Sequence, residues 1–394
     1  MLRFMPSTSR DMTLDDLKIA LVNYIVAQQK NSHFILRILD TQSPNIEGKD
    51  SEIVQILEKF AIKDDRRYHQ SEHLSLHQKL AIQLLEEKKA FICTCIDSNK
   101  CLNQCHLYTQ QELSQIKNNN KDFIIRIKSS QEREISSFTI LDKNNKPTYN
   151  FAIACDDIID DIEINISNQQ DRENIKKEEY IQQCFNFNKT VTKIYLPIFL
   201  DDTKLQTLLE QGFIPDAIIN YILISICNDT PKEIFTLPEA IQWFQIEKLS
   251  QNDIKLNIET LKNINKQHLL NLNNKTLSKI FGFADDDIGA LVKLYLEKYS
   301  TIPELEKQIK AIFAPKNLDN QFGQHMRIVQ NILFEAPFID EYNELKAYIL
   351  NHSDLTDEEI EISLKLLLTN NLDDDIEISH IYKHIKTYLL EVIS

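Results

Sequence analysis

The chain has 394 residues, 42% hydrophobic and 26% charged, a balance normal for a globular protein and a length beyond one ordinary core. Its net charge of −15 argues against a generally basic nucleic-acid binder, although a local basic groove can sit on an acidic protein. With only 5 glycines it carries no GxGxxG or Walker-type phosphate loop.

In chain order, Leu2 to Met5 reads as a short strand. Thr13 is placed to cap a helix whose first turn holds Asp15 and Asp16, where carboxylates suit the helix dipole. Leu17, Ala20, Leu21 and Tyr24 then recur at helical spacing. Phe34 to Ile38 reads as a second strand, and Ile53, Ile56, Leu57 and Phe60 as an amphipathic helix. Such alternation predicts a parallel α/β core. The stretch from about His73 to Lys146 reads as an insertion into it, with strand–helix alternation resuming at Tyr149. After about Leu205 the pattern is almost wholly helical to Ser394. Acidic runs at Asp285 to Asp287, Asp357 to Glu361 and Asp373 to Asp375 read as solvated helix starts and loops. The opening MLRFMPSTSRD has no apolar core of signal-peptide length, and the apolar run at Ile218 to Cys227 is short and interrupted by Asn220. The expectation is a cytoplasmic protein without a membrane segment.

Four of the seven cysteines crowd together: Cys93-Thr-Cys95, five residues, Cys101, three residues, Cys105-His106. Thiolates at such spacing predict a closed, structural zinc site, in which His106 could replace one thiol. Cys155, Cys184 and Cys227 stand alone in apolar surroundings and read as small core residues. The ten histidines show no partner pattern. His69 and His73, four apart, have metal-capable spacing but no evident third ligand, and read as surface residues. The paired carboxylates Asp156-Asp157 and Asp160-Asp161 read as a solvated turn rather than an acid–base or metal site.

A set of collinear segments carries a resemblance. Arg3-Phe4-Met5-Pro6-Ser7 resembles an RFAPS opening, and Leu36 to Thr41 an LRIEDT strand. Tyr68, Gln70, Ser71 and Glu72 match YxQSE, and Leu84 to Ala90, running into Cys93 and Cys95, is similar to a helix leading into a zinc knuckle. Pro147 to Ala152 with Asp156-Asp157 resembles PTYNFA…DD. Gly212 to Pro215 with Ala217, Asn220 and Tyr221 resembles GYLPEALLNYL, Glu233 to Leu237 EIFSL, and Leu366 to Thr369 LLLTG. These motifs in this order are those of the bacterial glutamyl-tRNA synthetase family, class I aminoacyl-tRNA synthetases. The resemblance implies a Rossmann-type catalytic domain at 1–72 and 146–205, an inserted zinc-containing acceptor-binding domain at 73–145, a stem-contact region at 206–255 and a helical anticodon-binding domain at 256–394.

The same resemblance marks departures. Counted from Arg3, the HIGH-type signature falls at Thr13-Leu14-Asp15-Asp16, placing carboxylates where the family binds ATP phosphates. Leu39 stands where a glutamate meets the substrate ammonium, and Ser167 where an arginine reads the γ-carboxylate. Asp201 to Lys204 replace the KMSKS-type loop. Arg3, Ser7, Tyr149 and Asn150 remain as substrate-binding relics. From these departures the sequence predicts a catalytically inactive member with no catalytic residues and with ATP binding in doubt. It would keep an accessory role, binding tRNA through the insertion and helical domains, or another synthetase or tRNA-related protein. Lys88, Lys89, Arg126, Lys128, Lys143 and Lys146 concentrate in the insertion as the basic surface for tRNA. The alternative is an active glutamate–tRNA ligase.

Overall fold

The fold, obtained as a computed structural model, is described for residues 1–96, 100–187 and 189–394. It divides into two compact units, one formed by 1–206 with 222–256, the other by 207–221 with 257–394.

The first unit opens with β1 (Leu2–Phe4), α1 (Leu14–Gln29), β2 (Phe34–Ile38), α2 (Lys49–Lys59) and β3 (Arg66–His69). These strands form a parallel sheet in the order β1-β2-β3. All five residues of β2 are buried, as a strand covered on both faces by crossover helices requires. A short 3₁₀ turn at Gln70–His73 leads into α3 (Leu74–Glu86) and then β4 (Ala90–Cys93). After α4 (Gln110–Asn118), β5 (Ile124–Ile127) pairs antiparallel with both β4 and β6 (Phe138–Leu141), in the order β4-β5-β6. This sheet lies within residues 73–145, and its core of Leu84, Ile125, Ile127, Ile140 and Leu141 is continuous with Phe151 and Ile181. The chain returns through α5 (Tyr149–Ile159), β7 (Ile164–Asn168), α6 (Arg172–Cys184) and β8 (Thr192–Leu196). β7 and β8 pair in parallel, and the Glu163 amide donates to the Met1 carbonyl, bringing the start of β7 to the start of β1.

The second unit is helical through to Ile393, around Leu269, Leu291, Tyr295, Ile309, Leu364 and Ile381. Gly212 sits at φ +85°, and a Cβ there would lie 2.1 Å from the Pro303 ring, so only glycine fits. The acidic runs mostly behave as expected: Asp285 caps one helix through the amides of Asp287 and Ile288, and Thr356 with Glu359 forms a capping box on another. Asp374 departs from the expectation, being buried and accepting a 2.7 Å bond from the Tyr295 hydroxyl. Among the described residues no helix is long and apolar enough to cross a membrane.

Candidate active site and metal centre

The carboxyl ends of β1 and β7 and the start of α1 surround a cavity of about 210 Å³, the position at which open parallel sheets receive ligands. Its lining includes Arg3, Arg10, Asp16, Tyr149, Ser167, Asn168 and Glu178. A neighbouring depression is lined by Ser7, Arg10, Leu39 and Tyr149. The structure therefore brings Arg3, Ser7, Asp16, Leu39, Tyr149 and Ser167 around two adjoining hollows. Asn150 lies beside them, its amide 3.3 Å from Asn174, while Thr13 and Asp15 belong to the first turn of α1.

Each carboxylate at that end of α1 has a partner. Thr13 and Asp16 form a capping box: the Thr13 amide donates to Asp16 Oδ2 at 2.8 Å, and the Asp16 amide donates back to Thr13 Oγ1. The Arg10 guanidinium forks onto the same carboxylate at 2.5 and 2.9 Å. Asp15 pairs with the buried Lys18 and accepts from the Phe199 amide at 3.0 Å. Asp11 pairs with Lys49 and Lys204, which hold its carboxyl down at about 2, with Lys204 the larger influence. The expectation of bare carboxylates facing the phosphate site is thus corrected: their charge is matched locally. Asp201 to Lys204 form a tight connection, with Thr13 and Lys204 bridged antiparallel.

The cavity wall is rich in polar atoms. Among the described residues, Ser167 Oγ, Asn168 Oδ1 and Asn150 Oδ1 are buried without a protein partner, which leaves them for a polar ligand. Glu178 is buried here as well. Burial first, then the nearby Asp157, push its carboxyl up from the ordinary 4.5 to about 8. Between those values the folded protein keeps a proton that the unfolded chain has released, so stability falls as pH rises through that window. Glu178→Gln is expected to abolish this slope and to be more stable than the native chain at pH 8.5 by on the order of 3 kcal/mol, measured by urea unfolding at pH 5 and 8.5. Glu178 was not singled out from sequence, although it shares a helical stripe with the buried Ile175 and Ile181.

Beneath the cavity lies an ion-pair network that corrects the reading of a solvated turn. Asp156, Asp157 and Asp160 are buried, and of the four only Asp161 is exposed. Arg3 forks onto Asp157 at 2.8 and 2.9 Å. Arg37, fully buried in β2, donates to Asp157 at 2.8 Å, Asp160 at 2.6 Å and the Tyr68 hydroxyl at 2.6 Å. The helical spacing of Asp156 and Asp157 on α5 and of Asp160 at its C-cap presents them together to the sheet. His73 and His77 are also drawn inward, onto Asp156, whereas His69 turns to Asp50 and Glu72. The reading of His73 as a surface residue is therefore corrected too.

In the insertion, Cys93, Cys95, Cys101 and Cys105 bring their sulfurs within 4.8 Å of one another. Cys95 and Cys105 lie 3.8 Å apart, the separation that two thiolates about 2.3 Å from a tetrahedral zinc would have. The Leu102 amide points at Cys95 Sγ and the Cys105 amide at Cys101 Sγ, supports that favour thiolates. Burial raises the Cys93 thiol to about 12. For Cys105 burial is outweighed by hydrogen bonds with Tyr108 and Thr94, which draw it down to about 6. The donor set fits a structural zinc ion with no open position. His106 is exposed, edge-on to Phe91, outside this set. Arg126, expected on a basic tracking surface, is instead buried beside the knuckle, its guanidinium 3.5 Å from the Cys95 carbonyl. Lys88, Lys143 and Lys146 are exposed. Cys155, Cys184 and Cys227 are buried.

Residues 1–132 match the family described as tRNA synthetases class I (E and Q), catalytic domain, so the parallel-sheet unit is a class I synthetase domain. The whole chain is 43% identical, over 430 aligned positions covering 100% of both sequences, to glutamate–tRNA ligase 2 of Sulfurovum sp. (strain NBC37-1). It is 36% identical, again over 100% of both, to glutamate–tRNA ligase 2 of Sulfurimonas denitrificans. A glutamate tRNA ligase from Elizabethkingia meningosepticum shares the fold with a TM-score of 0.77 over 99% of this chain and 97% of that one, at 18% identity. The chain belongs to the glutamyl-tRNA synthetase family. These full-length relatives overturn the expectation of a catalytically inactive, accessory member: proteins similar along both units are ligases by name.

Proposed function

We propose that this chain is a glutamate–tRNA ligase, which joins glutamate to ATP as glutamyl-adenylate and passes the glutamyl group to tRNA. The observation that carries this reading is identity of 34–43% across the entire length to relatives named for that activity. The polar cavity at the strand ends supports it, offering orphaned hydroxyl and amide acceptors to an amino acid.

The departures at Thr13, Asp15, Asp16, Leu39 and Ser167 and the short turn at Asp201 to Lys204 then define how this member differs, not whether it acts. In the reaction a carboxylate oxygen of glutamate attacks the α-phosphorus and pyrophosphate leaves. Negative charge building on the phosphates needs cations and helix-start amides. Arg10 supplies the cation: it lines both hollows and is held at the start of α1 by a carboxylate that keeps its own helix-cap bonds when the guanidinium leaves. Arg3, Ser7, Tyr149 and Asn150 line or flank the amino-acid side. Within this reading the insertion at 73–145 takes the acceptor end of tRNA through exposed Lys88 and Lys143, with the exposed Lys146 just after it, 206–255 along the stem and 256–394 at the anticodon. Zinc held by Cys93, Cys95, Cys101 and Cys105 braces that insertion and takes no chemical part.

The test is glutamate-dependent ATP–pyrophosphate exchange with tRNA present. Exchange well above background is expected, falling about 10²-fold in Arg10→Ala. Absence of exchange at every tRNA concentration would overturn the reading. An undiminished Arg10→Ala would overturn only the role of Arg10.

A further inference from the structure

We propose that His73, His77 and Asp156 form a second metal site, for a divalent late first-row ion such as Zn²⁺, separate from the four cysteines. His73 ends the 3₁₀ turn and His77 lies one helical turn further, so the two imidazoles share a face. They converge on one atom: His73 Nδ1 and His77 Nε2 each lie 2.8 Å from Asp156 Oδ1. The three ligand atoms fall within 4.8 Å of one another. Nitrogen and oxygen ligands at about 2.0–2.1 Å from a tetrahedral zinc stand roughly 3.3 Å apart, so the site opens by about half an ångström to admit the ion. The rings are at 86° to each other, aiming their nitrogens inward from two directions rather than stacking.

Asp156 and His73 are held by neighbours of the kind that position metal ligands. Gln70 donates to Asp156 Oδ2 at 3.0 Å, which turns Oδ1 toward the imidazoles. The Tyr68 ring packs on His73 with centroids 4.6 Å apart, and its hydroxyl is fixed by Arg37 and Asp160. Asp157 and Asp160 take the close ion pairs of Arg3, Arg37 and Arg66. Arg37 approaches Asp156 only to 4.0 Å. Within hydrogen-bond reach the Asp156 carboxylate has Gln70 and the two imidazoles. A divalent ion there would bind a carboxylate that has no arginine closer than 4.0 Å. Two nitrogens and one oxygen suit zinc or cobalt rather than calcium or magnesium.

Coordination requires each imidazole to carry its proton on the other nitrogen. Among the described residues His77 Nδ1 has no partner in either tautomer, so the exchange adds no new orphan there. His77 is fully buried, while His73 is partly exposed and gives the ion its way in and its open position. Occupied, the site ties the head of α3 to α5, the point where the chain leaves the parallel sheet and where it returns.

The full-length chain is equilibrated with excess Zn²⁺, freed of unbound metal and analysed. Two equivalents per chain are expected, and one in His73→Ala and in His77→Ala. Co²⁺ in place of Zn²⁺ distinguishes the sites. The cysteine site gives intense thiolate-to-cobalt charge transfer, unchanged in both histidine variants, whereas the second equivalent adds only weak ligand-field bands and is lost in them. One equivalent in the native chain, or a second that survives both substitutions, would overturn the proposal. Should His77→Ala fail to fold, the more exposed His73 carries the test alone.

Discussion

Arg37→Met is expected to destabilise the parallel-sheet unit by about 3–5 kcal/mol or to prevent its folding, because it leaves buried carboxylates without their shared cation. Arg37 is fully buried and bonded to Asp157, Asp160 and Tyr68, and it lies 4.0 Å from Asp156. The surrounding carboxylates hold the guanidinium charged, raising its affinity for the proton still further despite burial. Lysine should rescue only in part, since an ammonium cannot reach two carboxylates and a phenol through a planar fork. The measurement is urea unfolding of Arg37→Met, Arg37→Lys and the native chain. A Met variant within about 1 kcal/mol of native would show that the network contributes little.

Serine at Cys93 or Cys105 is expected to release the thiolate-bound zinc and to melt the β4-β5-β6 sheet. Cys93 ends β4, and its neighbours Phe91 and Ile124 pack around the sulfurs in a small core of their own. Structural zinc contributes on the order of 10 kcal/mol of apparent binding energy, which becomes folding energy when no site pre-exists in the unfolded chain. Metal analysis with hydrogen exchange reads both effects. Slow exchange retained across Ile124–Ile127 in a variant that has lost this zinc would separate the metal from the fold.

The parts of the fold legible from sequence were those written in local periodicity. Phe34 to Ile38 is apolar enough to announce a doubly covered strand, and the cysteine spacing announces a metal site within thirteen positions. What stayed hidden depends on partners far along the chain. Arg37 meets Asp157 across 120 residues, and His77 meets Asp156 across 79. A signal was available: an arginine in the middle of an apolar strand must be paired with buried acid, and Asp156, Asp157 and Asp160 have helical spacing. The functional expectation failed for a related reason. Asp15 and Asp16 look like bare negative charge in a linear reading, yet in three dimensions Lys18 and Arg10 answer them. Repulsion of a triphosphate cannot be inferred from residue identity without the counterions.

Glu178 has a consequence for how the cavity takes up its guest. Near neutral pH its side chain is mostly the uncharged acid, held so by burial. An amino acid brings an ammonium group, and a cation arriving beside this carboxyl draws its pKa down and displaces the proton into solvent. Under the proposed ligase function, an ammonium seated beside Glu178 would couple substrate uptake to release of a hydrogen ion. Alkalinity, by removing that proton in advance, would then favour such a cation in the cavity even as it loosens the fold that forms it.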